Sequence, residues 1–143
     1  MSVFMDSLNR NILRVKQEVN DKIYKISIEL FLSIVAKSPS PSNPGEHAKG
    51  LLANQWYPKV GSGFSDELGT STSPNGASSR ARIETLRGGK AFLNKDGRLS
   101  LTNNLHYAYR AEMLGWPRPE WSGSVGPYRM VALSLQAIAA KYK

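Results

Sequence analysis

Leu101-Thr102-Asn103-Asn104-Leu105-His106-Tyr107-Ala108-Tyr109-Arg110-Ala111-Glu112-Met113-Leu114-Gly115 changes its hydrophobic period halfway. Its first residues alternate apolar and polar, as a half-buried strand does. The Asn103-Asn104 pair can break that strand and cap the next element, because side-chain amides bond nearby backbone groups. From His106 the spacing turns helical. Tyr107, Arg110, Ala111 and Leu114 fall at i, i+3, i+4 and i+7, and Gly115 can end the helix.

Upstream, Ala91-Phe92-Leu93 and Leu99-Ser100-Leu101-Thr102 are β-like runs around Asn94-Lys95-Asp96-Gly97-Arg98. Asp-Gly supplies the positive φ of a tight turn, so a β-hairpin is expected there. A short helix is expected over Ser78–Leu86, with Ala81, Ile83 and Leu86 apolar, stopping at Gly88-Gly89. Residues 61–77 are rich in Gly, Ser, Thr, Asn and Pro and read as a long, flexible surface loop or partly disordered segment, a candidate contact arm. Trp56 is a large ring beside a strand, and core packing is its expected role.

The N-terminal third reads as one amphipathic helix from about Ser7 to Ala36, capped by Asp6 or Ser7. Leu8, Ile12, Val15, Val19, Ile23, Ile26, Leu30 and Ile34 step by threes and fours along one stripe. Some thirty residues at the α-helical rise span about 45 Å, long for so small a domain. Two readings of the stripe are open. It packs on the chain's own sheet, or its N-terminal half projects and packs on a neighbouring subunit, as the coiled-coil-like spacing allows. The prolines at 39, 41 and 44 end the helix.

Downstream, Trp116-Pro117-Arg118-Pro119-Glu120-Trp121-Ser122-Gly123 is aromatic and proline-rich. Its tryptophans either anchor a partner or pack as ordinary loop residues. Ser124 and Pro127 offer a cap and a first-turn proline for a last helix whose stripe is Val131, Leu135, Ile138 and Tyr142. Lys141 and Lys143 suit the negative end of its dipole. The expected fold is therefore α+β and a single domain over residues 1–143. A mainly antiparallel sheet, from about residues 52–60 and 91–104, is flanked by the N- and C-terminal helices, with short middle helices between.

At 143 residues the chain can bury one core without covalent staples. It has no cysteine, which removes disulfides, thiolate nucleophiles and Cys-based zinc sites together. His47 and His106 lie far apart, and no carboxylate cluster marks a metal site with them. The net charge of +8 permits contact with nucleic acid, yet the basic residues are spread without a block of like charge. The apolar run near 28–36 is interrupted and too short for a membrane span. The first residues lack the pattern of a signal peptide, so action in the compartment of synthesis is expected. Glycine pairs such as Gly88-Gly89 lack the context of phosphate loops, and no cofactor is expected.

The passage from strand through Asn103-Asn104-Leu105 to Tyr107-Ala108, then Glu112 and Gly115, resembles the C-terminal half of the small neck proteins of tailed bacteriophages. Those head–tail connector or tail-completion proteins carry a strand–T-N-N-L-P-Y-A–x–x–x-E–x-G pattern. Here His106 stands where Pro is usual, and Met113-Leu114 add one residue before the glycine. Gly50 and Trp56 match, by spacing, the Gly and Trp of the family's P-V-D-T-G-x-x-R-x-x-W turn after its long helix. The order of elements over roughly residues 20–140 is similar throughout. The resemblance implies a structural virion protein, made in the host cytoplasm, whose copies form a ring at the head–tail junction. It suggests sixfold symmetry, a portal-side adaptor and a tail terminator or tail tube protein as neighbours, and genomic DNA in the lumen. Trp56, Tyr107, Tyr109, Glu112, Trp116 and Trp121 are the candidate subunit or partner contacts.

Catalysis is not expected, because no carboxylate is tied to a histidine or nucleophile by a recognisable constellation. Glu112 could serve as an acid or base, but a helix-face residue paired near Arg110 or with a partner subunit explains it more simply. Two rival readings are a tail terminator capping the tail tube and, from another class, a basic nucleic-acid-binding module. The second would show steep salt dependence and needs a clustered basic face that the sequence does not display.

Overall fold

In a computed structural model, residues 2–38, 51–61, 63–87, 98–105, 108–113, 116–117, 124–125 and 128–143 are described, with only the backbone of 110, 116–117 and 124–125. The fold is α+β. Helix α1 runs Val3–Lys37, β1 Trp56–Val60, α2 Ala77–Glu84, β2 Leu99–Asn103 and α3 Ala108–Met113. Two short strands come next, β3 Trp116–Pro117 and β4 Ser124–Val125, and then α4 Met130–Lys141.

Helix α1 starts earlier than expected. Ser2, not Asp6 or Ser7, is its cap, and the Ser2 hydroxyl accepts from the Met5 amide at 3.2 Å. Asp6 sits in the first turn and Lys37 in the last, each matching the dipole end it occupies. At its far end Ser38 donates its hydroxyl proton to the Ile34 carbonyl at 2.9 Å, satisfying one of the last orphan acceptors.

Only the second half of α1 enters the core, through a face rotated from the expected stripe that keeps its Ile34, with Leu30 packed alongside. Tyr24, Ile28, Phe31, Ile34 and Val35 are buried there with Leu52, Trp56, Ile83, Leu86, Ala111 and Met130. Leu8, Ile12, Val15 and Val19 remain 41–52 % exposed. Packing of the whole stripe on the chain's own sheet is thus corrected: β1, β2 and α2 are too short to reach the first half of a helix about 52 Å long.

The sheet is a two-stranded antiparallel pair of β1 with β2, in the register Trp56↔Asn103, Pro58↔Leu101 and Val60↔Leu99. Residues 52–54, expected at the start of the strand, form a 3₁₀ turn instead. The Trp56 amide points away from β2 and donates to Ser79 Oγ on α2 at 3.0 Å. Amides two residues apart point the same way, so the donor missing at Pro58 falls on that outer side and costs no ladder bond. The first strand of the expected hairpin and its Asp96-Gly97 turn lie outside the described residues.

The middle helix forms one residue early, over Ala77–Glu84. Gly76 precedes it with φ +66°, and a Cβ there would collide with Val35 Cγ1 and approach the Ala53 carbonyl. Glycine is required on both counts. Arg82 ties this helix to β1: it donates to the carbonyls of Asn54 and Trp56, and its guanidinium lies 3.9 Å from the centre of the Tyr57 ring.

Helix α4 packs antiparallel along α1. Ser33 Oγ meets Ser134 Oγ at 3.0 Å, and Glu29 accepts from Lys141 Nζ at 3.0 Å and from the Tyr142 hydroxyl at 2.7 Å. Met130 and Ser134 are buried, while Leu135 of the expected stripe is 50 % exposed. The inward face is Met130, Val131, Ser134, Ile138 and Tyr142, so of the predicted stripe only Leu135 faces out. A small serine at its centre lets the two helix backbones approach closely.

Candidate functional site

Two features carry surface chemistry: the first half of α1, and the junction where α3 meets α4. Residues 3–19 of α1 have no buried member. Val3, Phe4, Met5, Leu8, Ile12, Leu13, Val15 and Val19 are all exposed. A 17-residue helix with that much apolar surface gains little from propensity alone and is normally held by packing on something. Arg14 and Glu18 pair across one turn at 3.9 Å, both well exposed, which adds a few tenths of a kcal/mol at most.

At the junction, Glu112 is the organising side chain. Its Oε1 accepts from the Val131 amide at 2.9 Å and its Oε2 from the Ala132 amide at 3.2 Å. These are amides of the first turn of α4, which an ordinary cap would satisfy from the residue before the helix. That residue is Arg129, left-handed at φ 47° and without a side-chain cap bond. The expected cap at Ser124 is corrected accordingly, since Ser124 lies in β4 and α4 begins at Met130. A carboxylate on the positive end of a helix dipole is favourable in its own right. Two backbone bonds complete the joint, Tyr128 N to the Ala111 carbonyl at 2.8 Å and Arg129 N to the Glu112 carbonyl at 3.2 Å. Glu112 is thus engaged within its own chain.

The other candidate residues separate. Trp56 is 6 % exposed, and its indole N–H donates to Ser38 Oγ at 2.9 Å. It joins β1 to the end of α1, in the core role expected of it, and leaves almost no ring for a partner. Tyr109 projects from α3 at 70 % exposure, with Met113 one turn later also exposed. Trp116 pairs through its backbone with Val125 in the β3–β4 ribbon. Tyr107 and Trp121 lie outside the described residues.

The segment 63–73, expected as a loose contact loop, is tied down along its length. Asn104 Nδ2 donates to the carbonyls of Ser65 at 2.8 Å and Glu67 at 3.0 Å, the Gly69 amide to Gln55 Oε1 at 2.7 Å, and Asn54 Nδ2 to the Ser73 carbonyl at 2.8 Å. The Asn103-Asn104 pair therefore does two jobs. Asn103 Oδ1 accepts from the Leu105 amide at 3.2 Å, the local turn expected of it, while Asn104 holds a segment almost forty residues away. The long-range roles of Asn54, Gln55, Arg82 and Asn104 had no local signal. Phe4 and Met5 did have one, a serine immediately before the apolar run.

At the far end of α4, the Tyr142 hydroxyl and then the Lys141 ammonium hold the Glu29 carboxyl below its ordinary range. The same bonds push the Lys141 ammonium and the Tyr142 phenol upward. Among the described residues no three His, Asp or Glu side chains converge as a metal site, and no helix is long and apolar enough to cross a membrane. Comparison with protein-family models, curated proteins and solved structures finds no match to this chain.

Proposed function

We propose that this chain is a structural subunit of the neck of a tailed bacteriophage. Its copies form a ring in the connector that joins the DNA-filled head to the tail and lets the genome pass. The observation that carries the assembly half of this reading is the apolar first half of α1, which stands clear of the chain's own core. A monomer has no use for that surface, whereas a subunit that shares it with neighbours does. The neck half rests on the sequence resemblance, from the Gly50–Trp56 turn to the Asn103-Asn104–Gly115 segment. The excess of positive charge is compatible with genomic DNA passing through the lumen.

On this reading the ring is a homo-oligomer, hexameric by family likeness, stacked between a portal-side adaptor and a tail terminator or tail tube protein. The exposed Tyr109 and Met113 on α3 are the described side chains best placed to serve as its aromatic and thioether contacts. Electron microscopy of particles assembled without this protein tests the proposal. Filled heads and finished tails lying unjoined are expected. Tails of irregular length would point to the terminator role instead, and intact virions would refute a neck function altogether.

A further inference from the structure

The bare half of α1 continues the face on which α4 lies. Ser33 and Glu29 mark that face by their bonds to α4. Val15 lies eighteen residues before Ser33, about five full turns, and is therefore on the same side of the helix. Met5, Leu8, Ile12, Val15 and Val19 alternate by three and four around it, a heptad seam with Met, Ile and Val at one core position and Leu and Val at the other. Helix α4 fills the seam's C-terminal part and stops at Lys141, beside Glu29. Among the described residues, nothing buries the rest, which is exposed.

We infer that a second copy of this chain occupies the rest of the seam through its own α1, the two helices running antiparallel. A parallel pair is blocked, because the partner's continuous helix would run on into the place that α4 holds. In the antiparallel pair Ile12 packs against the partner's Val15, and Leu8 against the partner's Val19. The partner helix then begins about where α4 ends and points the same way. The positive end of its dipole faces the negative end of α4, a favourable head-to-tail arrangement. The polar residues flanking the seam are Asn9, Asn11, Lys16 and Glu18. In this register Glu18 comes opposite the partner's Asn11, and Lys16 opposite the partner's Asn9, so no like charges meet. The contact is isologous and closes on itself. A seam of little more than two heptads is short, so the dimer depends on concentration. The pairing concerns the free chain and uses the surface that the neck reading gives to ring neighbours, so it opens when the ring assembles; the particle experiment tests the neck reading on its own.

Sedimentation equilibrium of the full chain over a concentration series tests it. A mass rising toward twice the monomer's is expected. Ile12→Glu with Val15→Glu should weaken the association roughly hundredfold or more, because it sets carboxylates opposite one another. Both positions are exposed and glutamate is the better helix former, so the circular dichroism of the variant should match the parent. The chain lacks cysteine, so orientation can be read from introduced thiols. A short thiol-reactive cross-linker should join Leu8→Cys copies to Val19→Cys copies but neither to itself. A monomer at every concentration would overturn the inference and leave the face to another protein or a surface. So would a dimer indifferent to the double substitution, or cross-links within each single variant.

Discussion

Removing the carboxylate of Glu112 should loosen the joint between α3 and α4 without touching the apolar core. In the native chain it accepts from two first-turn amides of α4, at 2.9 and 3.2 Å. No side chain from Arg129 stands in for it. Loss of a conventional cap costs about 1 kcal/mol, and hydrogen bonds to a charged group are worth roughly 1.5–3 kcal/mol. The side chain is only half-buried, so water can reach part of the gap, and a cost of about 2 kcal/mol is expected for Glu112→Ala. For a domain of this size that is a fall in Tm of roughly 4–10 °C. Glu112→Gln keeps one acceptor but turns an amide N–H₂ toward a helix N–H, and should recover no more than about half. Chemical denaturation with an unchanged m-value, alongside calorimetry, measures both. If Glu112→Ala unfolds within about 0.5 kcal/mol of the parent, the carboxylate is not the cap of α4, and a role toward another molecule returns.

Four further outcomes are expected. Trp56→Phe removes the indole donor to Ser38 but keeps most of the ring, and should cost about 1–2 kcal/mol in urea unfolding. Trp56→Ala should cost roughly 3–5 kcal/mol, and a neutral result would place the ring outside the core. Gly76→Ala meets both the left-handed backbone and the Val35 side chain, so a destabilisation above about 2 kcal/mol is expected; an unchanged thermal midpoint would show that the Gly76 turn is wrongly assigned. The Glu29 clamp should give stability a pH dependence at both ends. Its carboxyl titrates lower in the folded chain, so its contribution is complete above the unfolded carboxylate pKa of about 4.3 and is lost as pH falls through the folded value. Lys141 and Tyr142 titrate higher when folded, so their contribution is lost as pH rises through their folded values. Glu29→Gln should flatten both limbs of a stability–pH profile, and a profile superimposable on the parent's would refute the clamp.

Sequence by itself determined what depends on neighbours along the chain. The long helix, the short helix before Arg87, the strand ending at Asn103 and the last helix were all legible from spacing and turn chemistry, because interactions between residues close along the chain favour them. Trp56 as core was legible from its size and its place beside a strand. Tertiary structure alone decided which faces are inside and what each polar group touches. Glu112 caps α4 from nineteen residues away, and Asn104 pins the 65–67 carbonyls from across the fold. Neither bond has a local trace, since its partners meet only after the chain has turned back on itself. The same holds for α1. Its apolar stripe was plain in the sequence, but periodicity gives an angle around a helix and not what stands beside it. Only the reach of the short sheet and the end of α4 left its first half bare.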